Sequence, residues 1–289
     1  VKIGGLKMSK KICIIEGHCL AINFYNLLKK HKSFVKEYKI VPYFITENKY
    51  INTVPSNKEM ENCDLLIYQR AALLNENIQK INGQKIAYPY PTFNCLWPYQ
   101  RKSSIGEYNY RLGSDITNII YDNLDFDNQT IIKKVHEIQF DEQVLNYIYK
   151  TDIERINYID SFCDIKLSNI FTDFTAQYCF NTYNHLSIQY KLDLLQNILE
   201  YIGFKKLSKN IVNDFIMKPQ WMTPIHPKII QYFGLSYVNN DFLYWCFHHD
   251  TDFFGWFTFN GFINNYIDDI RKRKLSSEVY NNIIKKEEK

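Results

Sequence analysis

Residues 10–31 read KKICIIEGHCLAINFYNLLKKH, and the period of the apolar residues changes within them. Ile12-Cys13-Ile14-Ile15 is short, rich in β-branched residues and bounded by lysines and Gly17, which is the pattern of a buried β-strand. From Leu20 onward the spacing is that of one helix face, with Leu20, Phe24, Leu27, Leu28 and His31 in step and Lys29, Lys30 and Lys32 near the end. Gly17-His18-Cys19 falls at the switch. Cys19 is therefore expected at a strand-to-helix turn, close to the first N–H groups of a helix, whose positive dipole end favours a thiolate. Open α/β sheets bind ligands in such crevices at the carboxyl ends of strands. The competing reading is a small packing residue, because free cysteine is commonly buried and inert.

Working outward, Tyr38–Phe44 reads as a strand that Pro42 confines to an edge or an end. Leu65–Tyr68 and Lys85–Tyr88 read as two more buried strands. Strands alternating with helical segments predict a mainly parallel sheet flanked by helices, an α/β fold. Pro89-Tyr90-Pro91 and Leu96-Trp97-Pro98 predict an extended loop beyond the fourth strand. Past residue 113 the pattern turns largely helical, over 114–123, 128–150 and 152–166. Leu186, Tyr190, Leu194, Ile198 and Ile202 mark a strong helix closed by Gly203, and Pro227 and Gly234 bracket another. A single α/β domain over 8–289 is expected, with a sheet-bearing half to about 113 and a helical elaboration beyond. Met8-Ser9 has the form of a natural start, so residues 1–7 are set aside as an added leader.

The net charge of +4 on 289 residues makes no case for nucleic acid. No apolar run approaches the ~20 residues of a membrane span, and there is no secretory h-region, so the expectation is a cytoplasmic protein. Seven scattered cysteines, never spaced Cys-x-x-Cys, fit neither a disulfide framework nor a zinc ribbon. His248-His249-Asp250-Thr251-Asp252 invites a metal reading, but adjacent histidines on an extended segment face opposite ways, and no metal is expected.

Candidate site residues sit at element ends. Gln69 follows the third strand, so parallel pairing places it at the same sheet edge as Cys19, where its amide can donate to a developing oxyanion. Tyr183-Asn184-His185 precedes the strongest helix, with Asn184 as a candidate cap. His226, held between Pro224 and Pro227, is either a cap or a rigidly placed general base. Arg101, Lys102 and Arg111 flank the loop after the fourth strand and could meet phosphates.

In their order, Gly17-His18-Cys19, Asp64 through Gln69, the Pro91–Pro98 loop, Tyr183-Asn184-His185 and His226-Pro227 resemble the WcbI-type polysaccharide biosynthesis family of capsule gene clusters. The resemblance implies a first half related to SGNH-type hydrolases, with Cys19 in place of the serine. It also implies coenzyme A binding and acyl transfer to a sugar hydroxyl. Catalysis would rest on Cys19, His226, His185 and Gln69, and cofactor contacts on Gly17, His18, Arg101 and Arg111. Leu186 stands where family members often carry proline. Thr223 stands where an SGNH enzyme has an aspartate, so a complete triad is not readable. The expectation is an O-acetyltransferase that uses acetyl-CoA and a polysaccharide-precursor acceptor. The alternatives are an SGNH-like carbohydrate esterase or deacetylase, and a non-catalytic carbohydrate-binding subunit with Trp97 and Trp221 as stacking platforms.

Overall fold

The computed structural model describes residues 9–45, 52–70, 76–98, 114–169, 171, 173–218, 220–239, 241–247 and 254–287. The first stretch alternates as predicted. It runs β1 (Lys11–Gly17), α1 (Cys19–Leu28), α2 (Lys32–Glu37), β2 (Tyr38–Phe44), α3 (Asn57–Glu61), β3 (Cys63–Arg70), α4 (Glu76–Gln79) and β4 (Gln84–Pro89). Then come α5 (Ser114–Asp122), α6 (Asn128–His136), α7 (Glu142–Asp160), β5 (Phe180–Thr182), β6 (His185–Leu186) and α8 (Ile188–Tyr201). The chain continues through α9 (Lys209–Ile216), α10 (Pro227–Phe233), β7 (Tyr244–Phe247), β8 (Phe254–Phe257) and α11 (Phe259–Glu287). Two compact units emerge. The first takes Val1–Thr92, Ile153–Thr172 and His185–Lys218; the second takes Phe93–Asp152, Asp173–Asn184 and Pro219–Lys289.

The first unit holds a four-stranded parallel sheet in the order β2-β1-β3-β4. Its strands are near-continuous apolar runs because both faces are covered. Ile14, Val41, Leu66, Ile78 and Ile81 cluster together, each contributing about 1.5–3 kcal/mol on full burial. Helix α1 turns Leu20, Phe24, Leu27 and Leu28 inward, and the Phe24 ring meets Tyr88 at 5.1 Å. Asp64 makes a local irregularity: β1 pairs Ile12 with Cys63 but Cys13 with Leu65, and the skipped Asp64 accepts a hydrogen bond from Ile12 N at 2.7 Å. Pro42 lies, as expected, in an edge strand. The opposite edge is covered, since Asp164 accepts from Ala87 N at 2.7 Å while Asp164 N and Ile165 N donate to Ala87 O.

Three helix boundaries differ from the sequence reading. The break expected after 150 lies earlier, between α6 and α7, and α7 runs unbroken to Asp160. Asp141 sets its start by accepting from Gln143 N and Val144 N. Beyond its end, Asp160 accepts from Leu167 N and Ser168 N, which holds a loop where helix was expected. Ser187, without a side-chain cap, and not Asn184 holds the N-cap position of α8; Asn184 Oδ1 instead accepts from Thr182 Oγ1 at 3.0 Å. The predicted stops hold: Gly203 and Gly234 take φ of 78° and 64°, which suit glycine at a helix end.

In the second unit the aromatic-proline loop is clamped by a buried carboxylate. Asp152 accepts from Asn94 N, Cys95 N and Asn94 Nδ2 at 2.5, 2.8 and 3.0 Å. Trp97 is fully buried, and its Nε1 donates to Thr223 O. It therefore has no face for a sugar, which removes it as a stacking platform. β7 and β8 form a short antiparallel pair that the sequence reading passed over, because four-residue runs give little period to read. Among the described residues no helix is long and apolar enough to cross a membrane, and no metal-binding cluster occurs. His248 and His249 lie outside the described residues.

Candidate functional site

The first unit gathers Gly17, His18, Cys19, Gln69, His185 and one residue the sequence reading did not single out, Lys191. Gly17 ends β1 with φ 142°. A Cβ there would stand 2.7 Å from Gln69 Cβ and 3.0 Å from the Tyr88 hydroxyl, so the turn excludes any side chain. His18 N donates to Gln69 Oε1 at 3.0 Å, which makes Nε2 the donor end of that amide. The His18 ring lies edge-on to Tyr90 at 5.4 Å.

Below this turn Glu16 is buried. It accepts from Gln69 N at 3.2 Å, and the Tyr88 hydroxyl donates to its backbone carbonyl at 3.1 Å. Burial, offset in part by the Gln69 bond, pushes the Glu16 carboxyl up to about 7. The ends of β1, β3 and β4 are thus tied by one network beneath the first turn of α1.

Cys19 is the first residue of α1, and it is exposed. The other six cysteines are buried. His18 gives the helix no side-chain cap, while Ala21 N and Ile22 N return to His18 O. The helix dipole is worth about 0.3–1 kcal/mol to an anion at this position.

Lys191 lies in the first turn of α8 and is only 5% exposed. Burial pulls its amine down to about 8, and the charge of a Cys19 thiolate pulls it back up, so amine and thiol are within electrostatic reach. His185 stands by the same lysine. Burial first, and the Lys191 charge second, bring the imidazole down to about 4, which keeps it neutral at pH 7. One signal in the sequence points to Lys191: it falls on the apolar stripe of α8, three residues before Leu194 and four before Leu195. A lysine on such a stripe is rarely buried without a partner charge.

His226 belongs to the second unit and is fully buried. It caps α10, with Nδ1 accepting from Lys228 N at 3.2 Å and Nε2 bonded to Val135 O at 3.0 Å. Because a carbonyl only accepts, Nε2 carries the proton. Both ring nitrogens are engaged, and burial holds the imidazole at about 4. Arg101 and Arg111 lie outside the described residues.

No curated protein matches the chain. A solved structure of WcbI, a polysaccharide biosynthesis enzyme, matches with a TM-score of 0.58 at 12% identity, over 90% of this chain and 89% of that one. That structure is described as the native protein without a disulfide bond between coenzyme A and one of its cysteines. The family model of the polysaccharide biosynthesis enzyme WcbI matches residues 12–207, a stretch that contains every site residue of the first unit. By that match the chain belongs to the WcbI family of polysaccharide biosynthesis enzymes.

Proposed function

We propose that the chain is an acyltransferase that moves an acetyl group from acetyl-CoA to a sugar hydroxyl of a surface-polysaccharide precursor. The observation that carries this reading is an exposed thiol at the head of α1, beside the carboxyl end of a central strand and within reach of a buried amine. An ammonium next to the thiol and the helix dipole behind it both favour thiolate. The description of WcbI in terms of a disulfide between coenzyme A and a cysteine supports bringing the thiol end of coenzyme A to Cys19.

Cys19 Sγ attacks the thioester carbonyl carbon, and the bond from that carbon to the coenzyme A sulfur breaks. Lys191 gives its proton to the departing thiolate. The sugar hydroxyl then attacks acetyl-Cys19, its proton passes by way of neutral His185 to Lys191, and Cys19 leaves as thiolate. Gln69 Nε2 and the N–H groups at the start of α1 donate to the tetrahedral oxyanion. His226 takes no part, because its ring nitrogens hold α10 and Val135.

The test is a thermal-shift titration with coenzyme A and with acetyl-CoA, on the wild type and on Cys19→Ala, followed by intact mass. A saturable rise in Tm and one acetyl group on Cys19 are expected. No shift with either ligand up to about 1 mM would overturn the reading. Acetyl-Cys19 that hydrolyses equally fast with and without sugar would turn it into an esterase.

A further inference from the structure

We propose that the second unit carries a separate binding site for one neutral sugar ring, in the cavity bounded by the end of α6, helix α10, strand β7 and the start of α11. The proposal rests on the reading of the chain as an enzyme that handles a polysaccharide precursor.

The cavity encloses about 240 Å³. Pockets for drug-sized ligands run to ~300–1,000 Å³, so this one suits a single ring and is too small for a nucleotide. Its polar lining comes from Gln231, Asn239, Asn260 and His136, with His136 Nε2 bonded to Asn260 Oδ1 at 2.6 Å. Amides of this kind both donate and accept, as a ring of hydroxyl groups requires. The apolar lining includes Phe242, Tyr244 and Phe259. Rings beside amides offer an apolar sugar face and its hydroxyl edge complementary surfaces.

Among the described residues lining the cavity there is no carboxylate, ammonium or guanidinium. A phosphate or sugar acid would enter without a counter-charge, at a desolvation cost a neutral ring does not meet. Tyr244 and Thr258 add two hydroxyl-bearing side chains to the lining.

The test is saturation-transfer NMR on the full chain with neutral methyl hexopyranosides, and with glucuronate and glucose 6-phosphate as charged controls. Binding of at least one neutral glycoside at about millimolar Kd is expected. Gln231→Ala and Asn260→Ala, both at exposed positions, should each weaken it about tenfold. Cys19→Ala should leave it unchanged. The inference is overturned if no neutral glycoside binds, if the charged sugars bind better, or if the double variant Gln231→Ala, Asn260→Ala binds as the wild type does. The acetylation of Cys19 is scored separately. Acetylation without sugar binding sinks this site alone, and sugar binding without acetylation sinks the transferase reading alone.

Discussion

Replacing Lys191 with methionine keeps most of the buried stem but removes the charge within reach of Cys19. The apparent pKa of the Cys19 thiol, taken from the pH dependence of iodoacetamide alkylation, should rise by about one unit or more, and Lys191→Arg should restore most of it. A thiol that titrates identically in all three proteins would remove Lys191 from the mechanism. Gly17→Ala tests the turn itself. Its new Cβ lies 2.7 Å from Gln69 Cβ, at a backbone angle that disfavours any side chain. The expected loss is on the order of 1–3 kcal/mol in chemical denaturation, with the His18–Gln69 bond disturbed. At this scale Cys19 and Gln69 were legible from their places at strand ends. Glu16 was not, because a carboxylate next to a terminal glycine reads as surface until the third and fourth strands close over it.

Elements were legible wherever one period ran long enough. The four strands follow from short apolar runs buried on both faces, and α1 and the stripe of α8 from side chains that face one way and bury together. Boundaries failed where a single side chain decides them, as at Asp141, whose carboxylate starts α7. The loop from Phe93 to Pro98 depends on a residue far along the chain, and no local pattern encodes that. Asp152→Ala leaves the partly buried N–H of Asn94 and the buried N–H of Cys95 without their acceptor. A loss of about 1–3 kcal/mol for each orphaned donor is expected, read as a lower denaturation midpoint. A change below about 0.5 kcal/mol would mean that water replaces the carboxylate.

For the whole molecule, pH between about 4 and 7 acts through three groups shifted by burial, of opposite sign. His185 and His226 sit at about 4, below their ordinary 6.5, so the unfolded chain takes up protons that the fold refuses. Stability from this source rises with pH between about 4 and 6.5 and is lost on acidification. Glu16 sits at about 7, above its ordinary 4.5, so the fold keeps a proton that the unfolded chain releases, and stability falls from pH 4.5 to 7. Each group is worth roughly 3 kcal/mol, and two outweigh one. Tm should therefore climb to near pH 6.5, and Glu16→Gln should steepen the climb. A profile that falls steadily from pH 5 upward would contradict the assignment. The division into two units was not legible in the sequence, because each is assembled from stretches far apart along the chain.

The distribution of the thiols makes the molecule its own reporter of local opening. Cys19 alone is exposed, while Cys13, Cys63 and Cys163 are shielded in the first unit and Cys95, Cys179 and Cys246 in the second. A maleimide added to native protein labels one site at once. The remaining six then react only as fast as their surroundings come apart, three marking each unit. Peptide mapping of the label against time would give the order in which the two units unravel, without a single introduced mutation.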